Sequence, residues 1–292
     1  MNNIISLNTI PSLAENTFGP IVERINFDVE FEPTKAPHKK YVINNNTGQY
    51  LDTVGDTFTC VSHPEFFSRV QETMIEELAQ PDLIDATCDF RVARNNAWAL
   101  MDIKLPEVKV SISTNKGFQT EVSWRAIALH GIDGSCSNQV FFGGIEAFCT
   151  NGQISGEWAK VRRKNTSGFV LAYFINELRV AKVAFFEHGK KMQKWADTRV
   201  YMWDVENAIN TIIPSERKAE KMLELYSQEA DVRGHNVYAL YSAMTNYSTY
   251  ADDRNGFSLR NTRNDTQAIS MWKREQEVSK WISTPQFQQL AA

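Results

Sequence analysis

The spacing of apolar residues divides the chain into a strand-rich first half and a helical second half. Between residues 41 and 129, short runs of β-branched and aromatic residues alternate with turns that contain Asn and Gly, which predicts β-strands. Beyond residue 170, apolar residues recur every three or four positions, which predicts helices. Strands followed by helices, rather than alternating with them, predict an α+β fold with an antiparallel sheet and a helical C-terminal half.

The first half is predicted to contain one helix among its strands. Ser62 and Glu65 have the spacing of a capping box, and the helix that they begin is expected to end near Gln80. The apolar segment 140–149 fits either a buried strand or a short helix. The predicted strands cover residues 41–43, 50–54, 57–61, 89–92, 97–103, 108–113 and 121–129.

The second half is predicted to be a succession of helices. They cover residues 170–194, 203–213, 218–230, 236–247 and 266–281. We therefore expect three parts: an extended leader over residues 1–38, a β-rich α+β core over 39–168, and a helical region over 169–292. The helical region either packs on the core or forms a second subdomain.

Composition narrows the class of protein. The chain has 292 residues, 42% of them hydrophobic, which is ample for a buried core. Its four cysteines show no CxxC pair and are expected to be reduced thiols. No charged start followed by an apolar run, and no apolar stretch of about 18 residues, is present, so we expect a cytoplasmic protein with no membrane partner. The phosphate-binding motifs GxxxxGK[ST] and GxGxxG are missing, so no cofactor is expected.

Positive charge is concentrated in one part of this acidic chain. Ten basic residues lie between residues 157 and 199: Lys160, Arg162, Arg163, Lys164, Arg179, Lys182, Lys190, Lys191, Lys194 and Arg199. Four acidic residues oppose them, which gives a local charge of +6 and leaves −10 on the rest of a chain whose net charge is −4. Such asymmetry predicts one anion-binding face.

The densest part of this segment combines basic and aromatic residues. Trp158 and Phe169 flank it and are candidates for stacking on nucleic-acid bases. The residues predicted to contact phosphates are Lys160, Arg162, Arg163 and Lys164, with Lys190, Lys191 and Lys194 as secondary contacts and Arg125 joining from a preceding strand. The alternative is a solvated basic loop beside two core aromatics.

Two further groups of residues have alternative interpretations. A zinc site or a Cys–His pair could be formed from His130, Asp133, Cys136 and Cys149, but their spacing matches no standard metal pattern. Tight turns beside a buried Cys149 explain these residues more simply. No catalytic or metal-binding residue is therefore assigned. The aromatic residues Trp195, Tyr201 and Trp203 could lie in the core or in an interface, and the core is favoured.

Three segments together resemble a known family. Residues 47–58, 130–135 and 148–152, followed by the basic stretch around Arg162, resemble a phage- and plasmid-borne family of unknown function, DUF932, over residues 41–190. The chain departs from the family's His-Asp-Gly-Ser turn, because Gly131-Ile132 separate His130 from Asp133. The order of hairpin, helix, long strands and basic segment is also similar to that of phage single-strand annealing proteins, which oligomerise and carry DNA in a basic groove.

These observations give three functional hypotheses. The first is a protein of phage or plasmid DNA replication and recombination that binds single-stranded nucleic acid, with strand annealing as the more specific form of this hypothesis. Its partners would be single-stranded DNA and further copies of itself. The second is a phage-encoded enzyme, a nuclease or transferase, that uses His130, Asp133 and Cys149. The third is a structural or host-interaction protein whose basic segment meets an acidic partner.

Overall fold

A computed structural model describes most of the chain. The described residues are 4–6, 22–25, 29–31, 34–36, 38–44, 48–59, 61–93, 97–135, 137–146, 152–154, 160–163, 171–251 and 267–292. They belong to two compact units. Unit 1 comprises Met1–Glu107, Ala126–Phe141 and Lys160–Val180, and unit 2 comprises Val108–Arg125, Phe142–Ala159 and Ala181–Ala292. Each unit combines three separate stretches of sequence, and the domain ranges given above stay a prediction.

The described strands form three sheets. The strands are β1 Ile4–Ser6, β2 Val22–Ile25, β3 Val29–Phe31, β4 Thr34–Ala36, β5 Lys39–Asn44, β6 Tyr50–Gly55, β7 Thr87–Ala93, β8 Trp98–Ser113, β9 Gln119–Gly131, β10 Asn138–Glu146, β11 Gly152–Ile154 and β12 Lys160–Arg163. The largest sheet has the order β1-β7-β8-β9-β10-β11, with β12 also pairing with β10. The other two sheets have the orders β2-β5-β6 and β3-β4.

Helices dominate the second half of the chain, so the predicted α+β class is confirmed. The α-helices of the described residues are α1 His63–Glu77, α2 Leu171–Asp197, α3 Met202–Ile212, α4 Glu216–Arg233, α5 Val237–Tyr250, α6 Gln267–Ile282 and α7 Pro285–Leu290, and a 3-10 helix covers Gln80–Leu83. All five predicted C-terminal helices are present, with ends shifted by a few residues. Within the described ranges, no helix has the length and apolar character needed to cross a membrane.

The sequence divides one strand into two and predicts another that the described residues do not form. The predicted strands 97–103 and 108–113 are extended from Trp98 onward, but both belong to one strand, β8, and β7 pairs with it only from Trp98 to Lys104. Pro106 lies beyond that paired stretch, so its missing N–H removes no hydrogen bond to β7. At the third predicted strand, 57–61, the described residues 57–59 belong to no named strand, and the Phe58 N–H donates to the Gly55 carbonyl oxygen across a turn. The ambiguous segment 140–149 is a strand as far as Glu146.

In unit 1, α1 packs against the large sheet. The Ser62 hydroxyl accepts a hydrogen bond from the Glu65 N–H at 3.2 Å, as the capping pattern predicts. One face of the helix is buried, and its Phe67 ring lies 5.9 Å from Phe90 of β7. Cys88 of the same strand is a buried free thiol, as expected for a reduced cysteine.

In unit 2, an aromatic cluster joins β9, β10 and α2. The Trp124 ring stacks on Phe142 at 5.7 Å and lies 6.3 Å from Phe185. Gly144 gives the space for this packing, because a Cβ atom at that position would lie 2.6 Å from Val122 Cγ1. Glycine is therefore required where β10 meets β9 and α2.

Unit 2 also encloses a charged cluster. The Arg233 guanidinium donates to Glu146 Oε1 at 2.8 Å and to Glu229 Oε2, and all three side chains are almost fully buried. Arg233 also lies 4.5 Å from the centroid of the Phe118 ring, and Asn246 donates to Glu229 at 3.0 Å. One guanidinium thus compensates two buried carboxylates.

Candidate nucleic-acid interface

The basic residues of the predicted phosphate-binding segment lie on strand β12. This strand pairs antiparallel with β10, with Arg163 opposite Asn138, Arg162 opposite Gln139 and Lys160 opposite Phe141. Residues 160–163 of the segment therefore form a strand. Trp158, Lys164 and Phe169 lie outside the described residues, so their predicted roles stay predictions.

The three secondary lysines lie on the exposed face of α2. Lys190, Lys191 and Lys194 are all exposed, within little more than one helical turn. Lys190 pairs with Glu187 at 2.7 Å, and Lys194 donates to the Ala292 backbone oxygen at 2.9 Å. Lys191 has no hydrogen bond or ion pair with another described residue. The helix therefore presents a compact group of cations to solvent.

Arg125 is not available to a ligand in this structure. Its side chain is 3% exposed and its guanidinium donates to Glu275 Oε1 at 3.0 Å. Residues 124–131 of β9 are all buried, so both faces of this part of the strand are covered and neither leaves Arg125 exposed. We therefore leave Arg125 out of the proposed phosphate contacts.

Residues 201–203 form an exposed group of two aromatic residues and a methionine. Tyr201 and Trp203 are each 64% exposed, and Met202 between them is 42% exposed. The guanidinium carbon of Arg199 lies 5.9 Å from the centroid of the Tyr201 ring. The expectation that these two aromatics belong to the core was wrong, whereas Trp195 is buried as expected.

The helical period of α3 contains the signal that places Trp203 outside. Its buried residues are Val205, Ala208, Ile209 and Ile212, which repeat every three or four positions. Trp203 is out of phase with this stripe and falls on the opposite face. A count of aromatic residues alone favours the core, but the phase of the apolar stripe favours exposure.

One family model matches the part of the chain that contains these exposed residues. The chain matches the family model described as Domain of unknown function (DUF932) over residues 50–278. It belongs to the DUF932 family. Comparison with curated proteins and with solved structures gave no significant match. The matched range of this DUF932 chain includes β12, the lysines of α2 and the Tyr201–Trp203 group, so these surfaces lie within the family domain.

The motif that begins at His130 is part of the interior of the DUF932 chain. His130 Nδ1 lies 2.7 Å from His63 Nδ1, and the His130 ring stacks on Phe66 at 4.5 Å. One of the two nitrogens must carry the proton that the other accepts. Burial, and then the neighbouring His63, lower the pKa of His130 well below its ordinary value. The pair thus fastens α1 to β9, with His130 in its neutral form.

The Asp133 carboxylate closes the turn that follows. Its Oδ1 accepts hydrogen bonds from the Ser135 N–H at 3.0 Å, the Ser135 hydroxyl at 2.6 Å and the Trp98 indole at 3.1 Å. Asp133 is buried, and Cys149 lies outside the described residues. Among the described residues, no group of three or more His, Cys, Asp or Glu side chains is arranged to hold a metal ion. The geometry of this motif is that of a hydrogen-bonded turn.

Gly134 is expected to be indispensable to this turn. Its φ is +73°, and a Cβ atom there would lie 3.1 Å from Val54 Cγ1. We expect Gly134→Ala to lower the free energy of unfolding by about 2 kcal/mol, measured by urea denaturation. Gly48→Ala is the matched control, because Gly48 also has a positive φ, +66°, but has no atom within 4 Å of that Cβ position. Equal losses in the two variants would contradict a packing role for Gly134.

Proposed function

We propose that this DUF932 protein binds single-stranded nucleic acid and promotes strand annealing in the replication or recombination of mobile DNA. The observation that carries the proposal is the exposed group Lys190, Lys191 and Lys194 on α2 of an otherwise acidic chain. Clustered, solvent-accessible cations neutralise phosphates and release counterions, which is the main source of affinity for nucleic acids. The basic strand β12 supports the same proposal independently.

The chemistry of these groups favours binding over catalysis. Lysine ammonium groups are point charges that contact phosphates without reading sequence. The His130–Asp133 motif, which an enzyme would use, is occupied by contacts inside the protein. Annealing requires that a protein hold a strand by its backbone, and such binding needs neither a nucleotide nor a metal ion. Self-association, expected for annealing proteins, belongs to the same proposal.

The α2 lysines are expected to set the salt dependence of binding. Fluorescence anisotropy with a labelled single-stranded oligonucleotide over a salt series should give tight binding for the native protein. Each phosphate contact contributes about −0.7 to the slope of log K against log salt. Lys190→Gln/Lys191→Gln/Lys194→Gln should therefore reduce the slope by about 2 and weaken binding on the order of 100-fold at about 0.1 M salt.

A matched variant separates these contacts from net charge. Arg217→Gln/Lys273→Gln/Lys280→Gln removes three exposed cations from α4 and α6 and should leave the slope close to that of the native protein. Arg162→Gln/Arg163→Gln tests β12 in the same assay, with an expected slope change of about 1.4. Failure of the native protein to bind even at low salt would reject the proposal. Binding without faster pairing of complementary strands would reject annealing alone.

A further inference from the structure

Two aromatic side chains are exposed to solvent at the N-terminal end of helix α3. Tyr201 and Trp203 each expose 64% of their surface, although large aromatic residues usually supply core or interface area. Residue 202 between them is an exposed methionine. Solvent therefore reaches the side chains of both aromatic residues, and their rings are available to a flat apolar ligand.

The backbone that carries these rings is fixed on both sides. The Val200 N–H donates to the His235 carbonyl oxygen, and the Val237 N–H donates to the Thr198 carbonyl oxygen, each at 3.1 Å. Arg199 forms an isolated antiparallel bridge with Asn236. Val200 is buried while Arg199 and Tyr201 on either side of it are exposed. Because side chains alternate along an extended chain, Arg199 and Tyr201 lie on the same side. Their backbone is already held in place, so ligand binding requires little further ordering of it.

The charges along this stretch favour a polyanion. Residues 190–203 contain Lys190, Lys191, Lys194 and Arg199 against a single acid, Asp197. The Arg199 guanidinium lies over the Tyr201 ring at 5.9 Å from its centroid, within the range of a cation–π contact. Along the chain, these cations come before the aromatic pair, and the acidic residues Asp204 and Glu206 come after it. A ligand with phosphates and flat apolar rings matches this order.

We infer that Tyr201 and Trp203 form a base-stacking platform for an unpaired nucleic-acid strand, with Arg199 contacting its backbone. The inference rests on the proposed function and adds the residues that contact bases. Unpaired bases stack on aromatic side chains irrespective of sequence, since every base has a π face. Paired bases inside a duplex do not expose these faces, so the platform selects single strands.

The test compares two labelled chains of equal length, an oligothymidylate and an abasic sugar-phosphate chain. The native protein should bind the oligothymidylate at least about tenfold more tightly, because stacking adds to the phosphate contacts. Tyr201→Ala/Trp203→Ala should lose this preference while the salt slope stays unchanged. Tyr201→Phe/Trp203→Phe should retain the preference, because phenyl rings still stack.

Controls separate the platform from folding and from the proposed function. Tyr50→Ala removes another exposed aromatic residue and should leave the preference intact. If the native protein binds neither chain, both the proposed function and the stacking platform are rejected. If the native protein binds both chains and the Tyr201→Ala/Trp203→Ala variant keeps the preference, the platform alone is overturned. A change in oligomeric mass by light scattering, with the preference retained, would identify a self-association surface instead and also overturn the inference.

Discussion

Replacing Arg233 with methionine is expected to lower the free energy of unfolding at pH 7 by about 3–5 kcal/mol. Arg233 is the counter-charge of Glu146 at 2.8 Å and of Glu229, and the Glu146 side chain is completely buried. Methionine fills a similar space but leaves both carboxylates without a cation. A buried charge that loses its partner retains its full desolvation penalty, which makes this change costlier than the loss of a surface ion pair.

The loss in the Arg233→Met variant should shrink as the pH falls. Burial already raises the pKa of Glu146, and Arg233 opposes that shift. Without Arg233, the folded-state pKa of Glu146 rises further above its unfolded value of 4.5. The destabilisation is then complete above the folded pKa and diminishes below it, because the folded carboxyl takes up a proton. Urea denaturation at pH 7 and pH 5 measures the difference.

Two variants complete this experiment. Glu146→Gln in the Arg233→Met background should restore at least about 1 kcal/mol at pH 7, because a neutral amide replaces the unpaired carboxylate. Arg217→Met, at an exposed arginine of α4, should change stability by less than about 0.5 kcal/mol. A cost for Arg233→Met no larger than that of Arg217→Met would show that the buried cluster does not need its cation.

Acid is expected to destabilise the fold through His188. The side chain is buried between Trp195 and Tyr241, with ring centroids at 5.4 and 6.0 Å, and its Nε2 has no hydrogen-bond partner among the described residues. Burial, and then the nearby Lys191, lower the pKa of His188 from 6.5 to about 3. The folded protein therefore resists protonation at a position where the unfolded chain accepts it.

The direction of the pH effect follows from this difference in pKa. Above pH 6.5 both states are neutral at His188 and the full stability is present. Between pH 6.5 and about 3, the unfolded chain binds a proton that the folded chain does not, so stability falls. For His188 alone the loss from pH 7 to pH 4 is about 3 kcal/mol.

His188→Leu should remove this part of the acid sensitivity. Leucine has a similar volume and does not titrate, so the difference in unfolding free energy between pH 7 and pH 4 should be about 3 kcal/mol smaller than in the native protein. Met192→Ala, one helical turn further along α2, is the control, since it creates a cavity whose cost is the same at both pH values. An unchanged pH dependence in His188→Leu would show that His188 does not limit stability in acid.

Much of the local structure could be predicted from the chain. The five C-terminal helices follow from apolar periodicity, and the start of α1 follows from Ser62 and Glu65, because capping and amphipathicity are encoded within a few residues. The continuity of β8 through Pro106 could not be predicted in this way, because a proline is tolerated in a strand only where its missing N–H is not needed, and here β7 pairs with β8 only as far as Lys104. That property belongs to a partner distant in sequence.

Only part of the candidate interface could be predicted from the sequence. The charge tally identifies the basic segment, and the exposed lysines of α2 agree with it. Arg125 and Tyr201 were misjudged because burial is decided by what other elements cover. Glu275 of α6 pairs with Arg125 from 150 residues away, and 64% of the Tyr201 surface stays exposed.

Sequence by itself determined the fold class, the family, the helical half and the location of the basic segment. These depend on periodicity, caps and charge counts, which are properties of neighbouring residues. Tertiary structure alone decided that His63 meets His130, that Arg233 compensates Glu146, and that Arg125 pairs with Glu275. Each depends on contacts between elements far apart in the chain, and their energies arise only when folding removes the groups from water.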